Sequence, residues 1–375
     1  MNNDICKMLG CEFPLFAFSH CRDVVAEVSK AGGFGVLGGS SFTPEILEEE
    51  LAWLDEHVDG KPYGVDILIP ENMGDLASDV SIEELQSMVP EAQRRFTVDL
   101  LRTYGIEVPE DELVQAELPG IIGNVGEQLM DVAFRHPIKM IVNALGVAPP
   151  SMISRAREHS VSVGALVGAK EHAIRQVNAG VDFLVAQGTE AAGHCGEVST
   201  LVLVPEVIDA IKDIRPVPVL AAGGIMNGRQ MAGCMAMDAQ GAWTGTIWLA
   251  TPEAETSEAI REKMVAASSR DTIRSTARTG KPSRQLHSAW HDAWHGPDSP
   301  GTLPMPMMSM LALPSFARVD RAVENGNDKA RDLVSYWVGQ GIGLIDSVKS
   351  SRTVMQEFKQ EFGESVISMN DVLGI

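Results

Sequence analysis

Short apolar runs alternate with amphipathic stretches along most of the chain. Eight runs stand out: 13–18 (FPLFAF), 34–37 (FGVL), 63–69 (YGVDILI), 139–145 (KMIVNAL), 161–167 (VSVGALV), 182–187 (DFLVAQ), 217–222 (VPVLAA) and 241–247 (GAWTGTI). Several are apolar on both alternating faces, the pattern of a parallel strand covered on both sides. The stretches between them have helical period. Residues 22–31 put Val24, Val25 and Val28 on one face and stop at Gly32-Gly33. Thr43-Pro44-Glu45 reads as a cap, then a proline and an acid in the first turn. Residues 170–179 stop at Gly180, and 205–214 and 227–237 follow the same plan. A strand followed by a helix, repeated eight times, predicts an α/β fold, the (β/α)8 TIM barrel.

The repeat is interrupted once. Residues 71–136 separate the third and fourth runs and read as a largely polar, helical insertion. Within it 81–99 is helical in character, opening with the capping-type Ser81-Ile82-Glu83-Glu84. The insertion is expected over the top of the barrel or at an oligomer interface. After the eighth run the pattern changes. Residues 253–269 read as a helix, 270–314 as irregular and rich in Pro, Met, His and Trp, 316–339 as helical, and 344–362 as a closing helix. The organisation expected is therefore a barrel over 1–252 that includes the insertion, a smaller, mainly helical cap over 253–338, and a segment over 339–375 that returns to the barrel.

Composition narrows the partners. The 30 Lys and Arg stand against 51 Asp and Glu, a net charge of −21. Such a chain repels nucleic-acid phosphates and anionic membranes, which leaves a small-molecule substrate. No apolar run reaches the length of a bilayer span, and no basic-then-apolar leader opens the chain. The five cysteines, Cys6, Cys11, Cys21, Cys195 and Cys234, include no Cys-x-x-Cys pair. They read as reduced thiols, and the protein as cytoplasmic. The oligomeric state is open, with a homo-oligomer among the options.

In a barrel of this kind the chemistry sits at the C-terminal ends of the strands, with phosphates at the seventh and eighth loops. Those loops read Ala222-Gly223-Gly224-Ile225 and Thr244-Gly245-Thr246. The glycines let backbone N–H groups approach an anion, the helix from Asn227 points its positive end the same way, and Thr246 adds a hydroxyl. Taken singly, each glycine pair could be a tight turn; two in register indicate a phosphate-bearing ligand. After the sixth run, Gln187-Gly188-Thr189-Glu190-Ala191-Ala192-Gly193-His194-Cys195-Gly196 places His194 at the rim as a candidate general base. Cys195 has no partner in sequence that would activate it and reads as a passive thiol. His287, His291 and His295 recur every four residues without an acid or Cys at metal-ligand spacing, so they read as a surface face and not a metal site. Met305–Met310 reads first as packing between cap and barrel, second as pocket lining.

These residues resemble the nitronate monooxygenase, or 2-nitropropane dioxygenase, family of FMN-binding barrels, which is related to the FMN-dependent enoyl-acyl-carrier-protein reductases. The resemblance is carried by Ala31-Gly32-Gly33-Phe34-Gly35-Val36-Leu37-Gly38, Lys61-Pro62-Tyr63-Gly64-Val65, the block 186–207 (AQGTEAAGHCGEVSTLVLVPEV), 218–224 (PVLAAGG), 241–251 (GAWTGTIWLAT) and Trp337-Val338-Gly339-Gln340-Gly341. It implies FMN as cofactor. Gly223, Gly224, Gly245 and Thr246 would hold its phosphate, and Gln187 and Gly188 would lie beside the ring. Ala17, Phe18, Asp66, Gly193, Ala222 and Gln340 fall at further cofactor-contact positions, and His194 matches the family's active-site histidine. The implied reaction is oxidation of an alkyl nitronate by O2 to a carbonyl compound and nitrite. The alternative is NAD(P)H-dependent reduction of an enoyl thioester or quinone; a third reading keeps the barrel as a non-catalytic flavin-binding protein. Three departures from the family pattern stand out. The first strand ends Ala17-Phe18-Ser19-His20-Cys21 instead of in small residues, which makes His20 a second candidate base. Asp66 stands where an Asn is usual, and Ala192 replaces a Gly.

Overall fold

The computed structural model describes residues 1–69, 82–109, 113–114 and 125–374. Eight parallel strands close into a barrel in sequence order: β1 Leu15–Ser19, β2 Phe34–Gly38, β3 Tyr63–Ile67, β4 Met140–Asn143, β5 Ser162–Val167, β6 Phe183–Gln187, β7 Val219–Ala222 and β8 Gly241–Thr244. Six lie within the apolar runs of the sequence, and β1 and β2 run one residue past theirs, to Ser19 and Gly38. The eighth stops earlier than its run, because Gly245 turns the chain into the short helix Thr246–Leu249.

Alternation along each strand builds two layers. Leu15, Ala17, Leu37, Val65, Ile141, Leu184, Ala186 and Ala221 face the surrounding helices. Phe16, Phe34, Val36, Met140, Val142, Phe183, Val185, Leu220 and Trp243 fill the interior. The first helix, α1 (Asp4–Leu9), closes the barrel at its N-terminal end, with Ile5, Cys6 and Leu9 buried in that interior core. All five thiols are free.

The ring of helices follows the expected order. α2 (Arg22–Lys30) follows β1, and α3 (Pro44–His57) follows β2, its Thr43 side chain capping the Ile46 N–H. In the described part of the insertion lie α4 (Ile82–Ser87), α5 (Glu91–Thr103) and α6 (Val125–Ala133). The single helix expected over 81–99 is thus two helices, because Pro90 cannot supply an interior N–H; Ser81 lies outside the described residues. α7 (Pro150–His159), α8 (Lys170–Ala179), α9 (Thr200–Ile211) and α10 (Gly228–Met235) complete the ring through β7. α9 starts five residues earlier than 205 and carries Pro205 inside it; the N–H that proline lacks would have paired near Leu201, which is exposed.

After the short helix α11 (Thr246–Leu249) and α12 (Glu258–Ala266), the stretch read as irregular is ordered. It holds an antiparallel hairpin, β9 (Thr272–Ser275) with β10 (Ser283–Leu286), then α13 (Ala289–His295) and the start of α14 (Met307–Glu324). α14 therefore begins and ends earlier than the helix expected over 316–339; Asn325-Gly326 stops it, with Gly326 at φ 87°. The closing helix is α15 (Ser351–Leu373), preceded by a 3-10 turn at Gln340–Leu344. It lies against α10 and α2 and fills the gap in the outer ring.

The insertion and the segment after β8 share one core. Leu85, Val98 and Leu101 pack with Trp290, Trp294, Met308, Leu311 and Phe316, and Phe96 meets Trp294 edge-on at 4.9 Å. Met308 and Met310 are buried there, so the methionine run is packing.

Candidate active site

Two glycine loops follow the adjacent strands β7 and β8 at the mouth of the barrel. Gly223 and Gly224 have φ of 109° and 71°, a left-handed pair that β-carbons would strain. A β-carbon at Gly223 would also stand 2.7 Å from Thr200 Oγ1. Gln230 braces this loop: its Oε1 accepts from Met226 N at 2.8 Å and its Nε2 donates to the Gly224 carbonyl at 2.8 Å. Asn227 caps α10 through the Gln230 N–H. Among the described residues, no acceptor binds the N–H groups of Gly223, Gly224, Gly245 or Thr246. A β-carbon on Gly245 would meet nothing within 4 Å, so the space before it is open. Thr246 Oγ1 accepts from Gly339 N at 2.9 Å, which leaves its own proton to donate.

The β6 loop forms the next side of the mouth. Gly188 N donates to Ala222 O, and Glu190 Oε2 accepts from the N–H and hydroxyl of Thr200, both at 2.9 Å, at the start of α9. This pairing suits an acid at a helix N-terminus. Gln187 lies in register with Ala222 at the strand ends. Gln340 N donates to Glu190 O at 2.8 Å, so the Gly339-Gln340-Gly341 segment is held between the β6 and β8 loops.

The hairpin holds the histidine loop. Gly193 pairs with Arg284 in a two-way backbone bridge, and the Arg284 guanidinium donates twice to Thr189 O, at 3.1 and 2.9 Å. His194 Nε2 lies 2.9 Å from Thr279 Oγ1. Partial desolvation, then the nearby Lys281 ammonium, lowers its pKa from 6.5.

Across the mouth, His20 Nδ1 lies 2.8 Å from the Gly38 carbonyl. A carbonyl oxygen only accepts, so Nδ1 carries the proton and Nε2 presents a lone pair. Burial lowers this imidazole's pKa as well. A β-carbon on Gly38 would come within 2.7 Å of His20 Nδ1, so the histidine depends on that glycine. Phe18 meets His20 edge-on at 5.2 Å and stacks on Trp243, which stacks in turn on Phe16. Asp66 stands opposite Gly38, in step with the interior-facing Gly64. It is 4 % exposed, and no described residue hydrogen-bonds its carboxyl. Burial raises its pKa well above 3.8.

The structure thus brings His20, Phe18, Asp66, Gln187, Gly188, Gly193, His194, Ala222, Gly223, Gly224, Gly245, Thr246 and Gln340 to one end of the barrel. Ala17 is the exception, since its methyl faces the helix layer. The histidine face read as surface also needs correction. His291 is fully buried, accepts from Ser288 N through Nδ1 and reaches Gln285 Oε1 through Nε2, and burial pushes its pKa down to about 3. His287 pairs with Asp292 and His295 with Ser275. No group of metal-ligating side chains occurs among the described residues. Sequence reasoning missed Thr279, Arg284 and Glu190. The turn residues Thr279-Gly280-Lys281-Pro282 between two short alternating stretches were the available signal for the hairpin.

The site is therefore the C-terminal mouth of a closed parallel barrel, with glycine loops after its last two strands and two imidazoles of lowered pKa. The chain belongs to the nitronate monooxygenase family, whose profile matches residues 14–361. A Mycobacterium tuberculosis protein provisionally named a monooxygenase is 48% identical over 369 residues, covering 98% of each chain. A Staphylococcus aureus protein provisionally named a nitronate monooxygenase is 26% identical, with 96% of this chain and 97% of that one covered. Among solved structures, the nitroalkane oxidase of Streptomyces ansochromogenes superposes with a TM-score of 0.78 at 22% identity, covering 97% and 99% of the two chains. FabK from Thermotoga maritima gives 0.73 at 26% identity, covering 99% of each. No helix among the described residues is long and apolar enough to cross a membrane.

The family is one of flavin enzymes, and the residues present fit a flavin phosphate. The open space before Gly245 and the unengaged N–H groups around it are what a phosphate requires. The buried Asp66 carboxyl, without an internal partner, suits the hydrogen-bonding edge of a ring.

Proposed function

We propose that this chain is an FMN-dependent nitronate monooxygenase that oxidises an alkyl nitronate with O2 to a carbonyl compound and nitrite. The observation that carries this reading is the pairing of the Gly223-Gly224 and Gly245-Thr246 cradle with two neutral imidazoles at the same mouth. Gly223, Gly224, Gly245 and Thr246 would hold the FMN phosphate. Gln187 and Gly188 would border the ring, and Asp66 would face its polar edge. Bound FMN supplies the electron transfer between substrate and O2. The chain's own contribution is placement and proton chemistry. His20 Nε2 and the His194 imidazole are free to accept a proton from the carbon of a neutral nitroalkane. Once protonated, either would stabilise the anion left behind.

A second reading, NAD(P)H-dependent reduction of an enoyl thioester or quinone, draws support from the likeness to FabK. A visible spectrum of the purified protein under nitrogen, before and after NADH and NADPH, separates the two. Collapse of the flavin bands within seconds marks a reductase. Bands that persist under pyridine nucleotide, with O2 uptake and nitrite release on adding a nitronate, mark the monooxygenase. Absence of flavin bands overturns both.

A further inference from the structure

Above the mouth, the cap presents hydrogen-bond donors that the protein leaves unused. Arg278 is 3 % exposed and lies between two rings, its Cζ 4.0 Å from the centre of Phe316 and 4.5 Å from that of Trp337. Its Nε donates to Gln285 Oε1 and its Nη2 to Ser335 O, both at 2.9 Å, while Nη1 has no partner among the described residues. No carboxylate among the described residues comes within ion-pairing distance of it; Asp320, an acid that influences it, forms no salt bridge there. The indole N–H of Trp337 is buried and also unpartnered. The adjoining carbon of that ring, Cδ1, lies 3.9 Å from the β-carbon position of Gly193, beside His194. Tyr336 is half-buried, and no described residue hydrogen-bonds its hydroxyl. Its electrostatic neighbours are Arg278 and Asp320 in the cap, and Cys21 and Glu255 at the mouth of β1.

These groups run from the His20–Cys21 end of the mouth to the His194 loop. An indole N–H and a guanidinium can only donate, and a phenol donates readily. Of these, the Trp337 N–H is buried without a partner among the described residues, which costs stability that an anionic partner would recover. A planar guanidinium also matches two coplanar oxygens on one group.

We propose that Arg278, Tyr336 and Trp337 form the anion-recognising wall of the substrate site, taking the paired oxygens of a nitronate or of a carboxylate carried by the substrate. This rests on the reading of the mouth as a substrate site and adds its selectivity. Phe316 and Trp337 hold the guanidinium flat while the barrel holds the cofactor.

The test uses the purified, flavin-loaded protein and two variants, Trp337→Phe and Tyr336→Phe. The first keeps a ring against Arg278 and deletes the N–H. The second deletes an oxygen that has no internal partner and so leaves folding intact. Three probes are used: ethyl nitronate through KM and kcat, and propionate and its neutral counterpart propionamide through calorimetric Kd. In the wild type at least one anion binds about tenfold or more tightly than the amide, and each variant weakens that anion by a similar factor. A variant that raises KM for nitronate without weakening propionate assigns the wall to the reacting group. Weakening of both assigns it to a carboxylate as well. Anion binding unchanged in both variants, or an amide that binds as tightly as the anions, overturns the proposal. Anion preference without any nitronate turnover would leave the wall standing and remove the monooxygenase reading.

Discussion

His20 shows how one contact sets the chemistry of a side chain. The Gly38 carbonyl fixes the proton on Nδ1, and burial keeps the ring neutral. Both imidazoles at the mouth have pKa values lowered below 6.5. A base must be unprotonated, so turnover of a neutral nitroalkane should hold as pH falls through 6.5 and drop only below it. A pH profile of kcat/KM measures this, and an acidic limb above 6.5 would remove both from the role. His194→Asn and His20→Asn, assayed separately on nitroalkane and on preformed nitronate, then show which one matters. The true base loses about 10²–10⁴-fold on the nitroalkane, and far less on the nitronate.

Asp320 makes a different point at the same scale. Burial raises its pKa from 3.8 to about 6, so the unfolded chain releases the proton first as pH rises. The group therefore costs nothing below about 3.8, costs progressively more between the two values, and costs most above 6. Replacing it with Asn should stabilise the protein by about 1–3 kcal/mol at pH 7, after allowance for its partial exposure, and leave it unchanged near pH 3. Denaturant midpoints at the two pH values check this.

At the scale of elements, the barrel was legible because strands covered on both faces carry dense apolar runs that few helices imitate. The glycine loops after β7 and β8 were legible because they sit at the ends of two such runs. The hairpin was not. β9 and β10 are four residues each, and they bury Ser283, Arg284 and Gln285, residues that read as loop. Their burial follows from bonds made at a distance, Arg284 to Thr189 and Gln285 to Arg278, which no local period records. His291 was misread because it shares its four-residue spacing with the more exposed His287 and His295, while its own ring is fully buried against Ser288 and Gln285. Arg284→Ala should release the β6 loop, costing about 1.5–3 kcal/mol of stability and lowering kcat while flavin stays bound; the unfolding midpoint and the flavin spectrum of one sample show both. Gly245→Ala is the complementary change. Nothing crowds that β-carbon and φ is −129°, so folding should be unaffected. The methyl would occupy the proposed cradle, so flavin should dissociate about tenfold more readily with no change in the melting temperature of the flavin-free protein.

At the scale of the whole molecule, the cap unites two distant segments, residues of the insertion and those after β8, around Trp290, Trp294 and Phe316. Sequence reading placed the insertion as helical and the segment after β8 as mainly helical, with 270–314 irregular, but could not show that they share a core, because each supplies only part of the apolar surface. The outer ring is likewise completed from afar. Val354, Met355 and Phe358 of α15 are at most 4 % exposed, Phe13 meets Phe362 edge-on at 5.7 Å, and Lys359 Nζ donates to Ala31 O at 2.7 Å. Beyond that point Ile367, Val372 and Leu373 are exposed. A chain ending after Gly363 should therefore melt as the full chain does, and one ending after Ser350 should not fold; circular dichroism of the two truncations decides it.

That arrangement bears on how the protein is made. The ribosome delivers β1 and α2 first, yet the flank between α10 and α2 stays uncovered until α15 has emerged. Through synthesis of the entire cap, the nascent barrel carries an open apolar groove along that flank. The wait is a period of exposure to chaperones and to sticky neighbours. Pausing or premature termination in the cap should therefore yield aggregated chain in place of a working barrel without its cap.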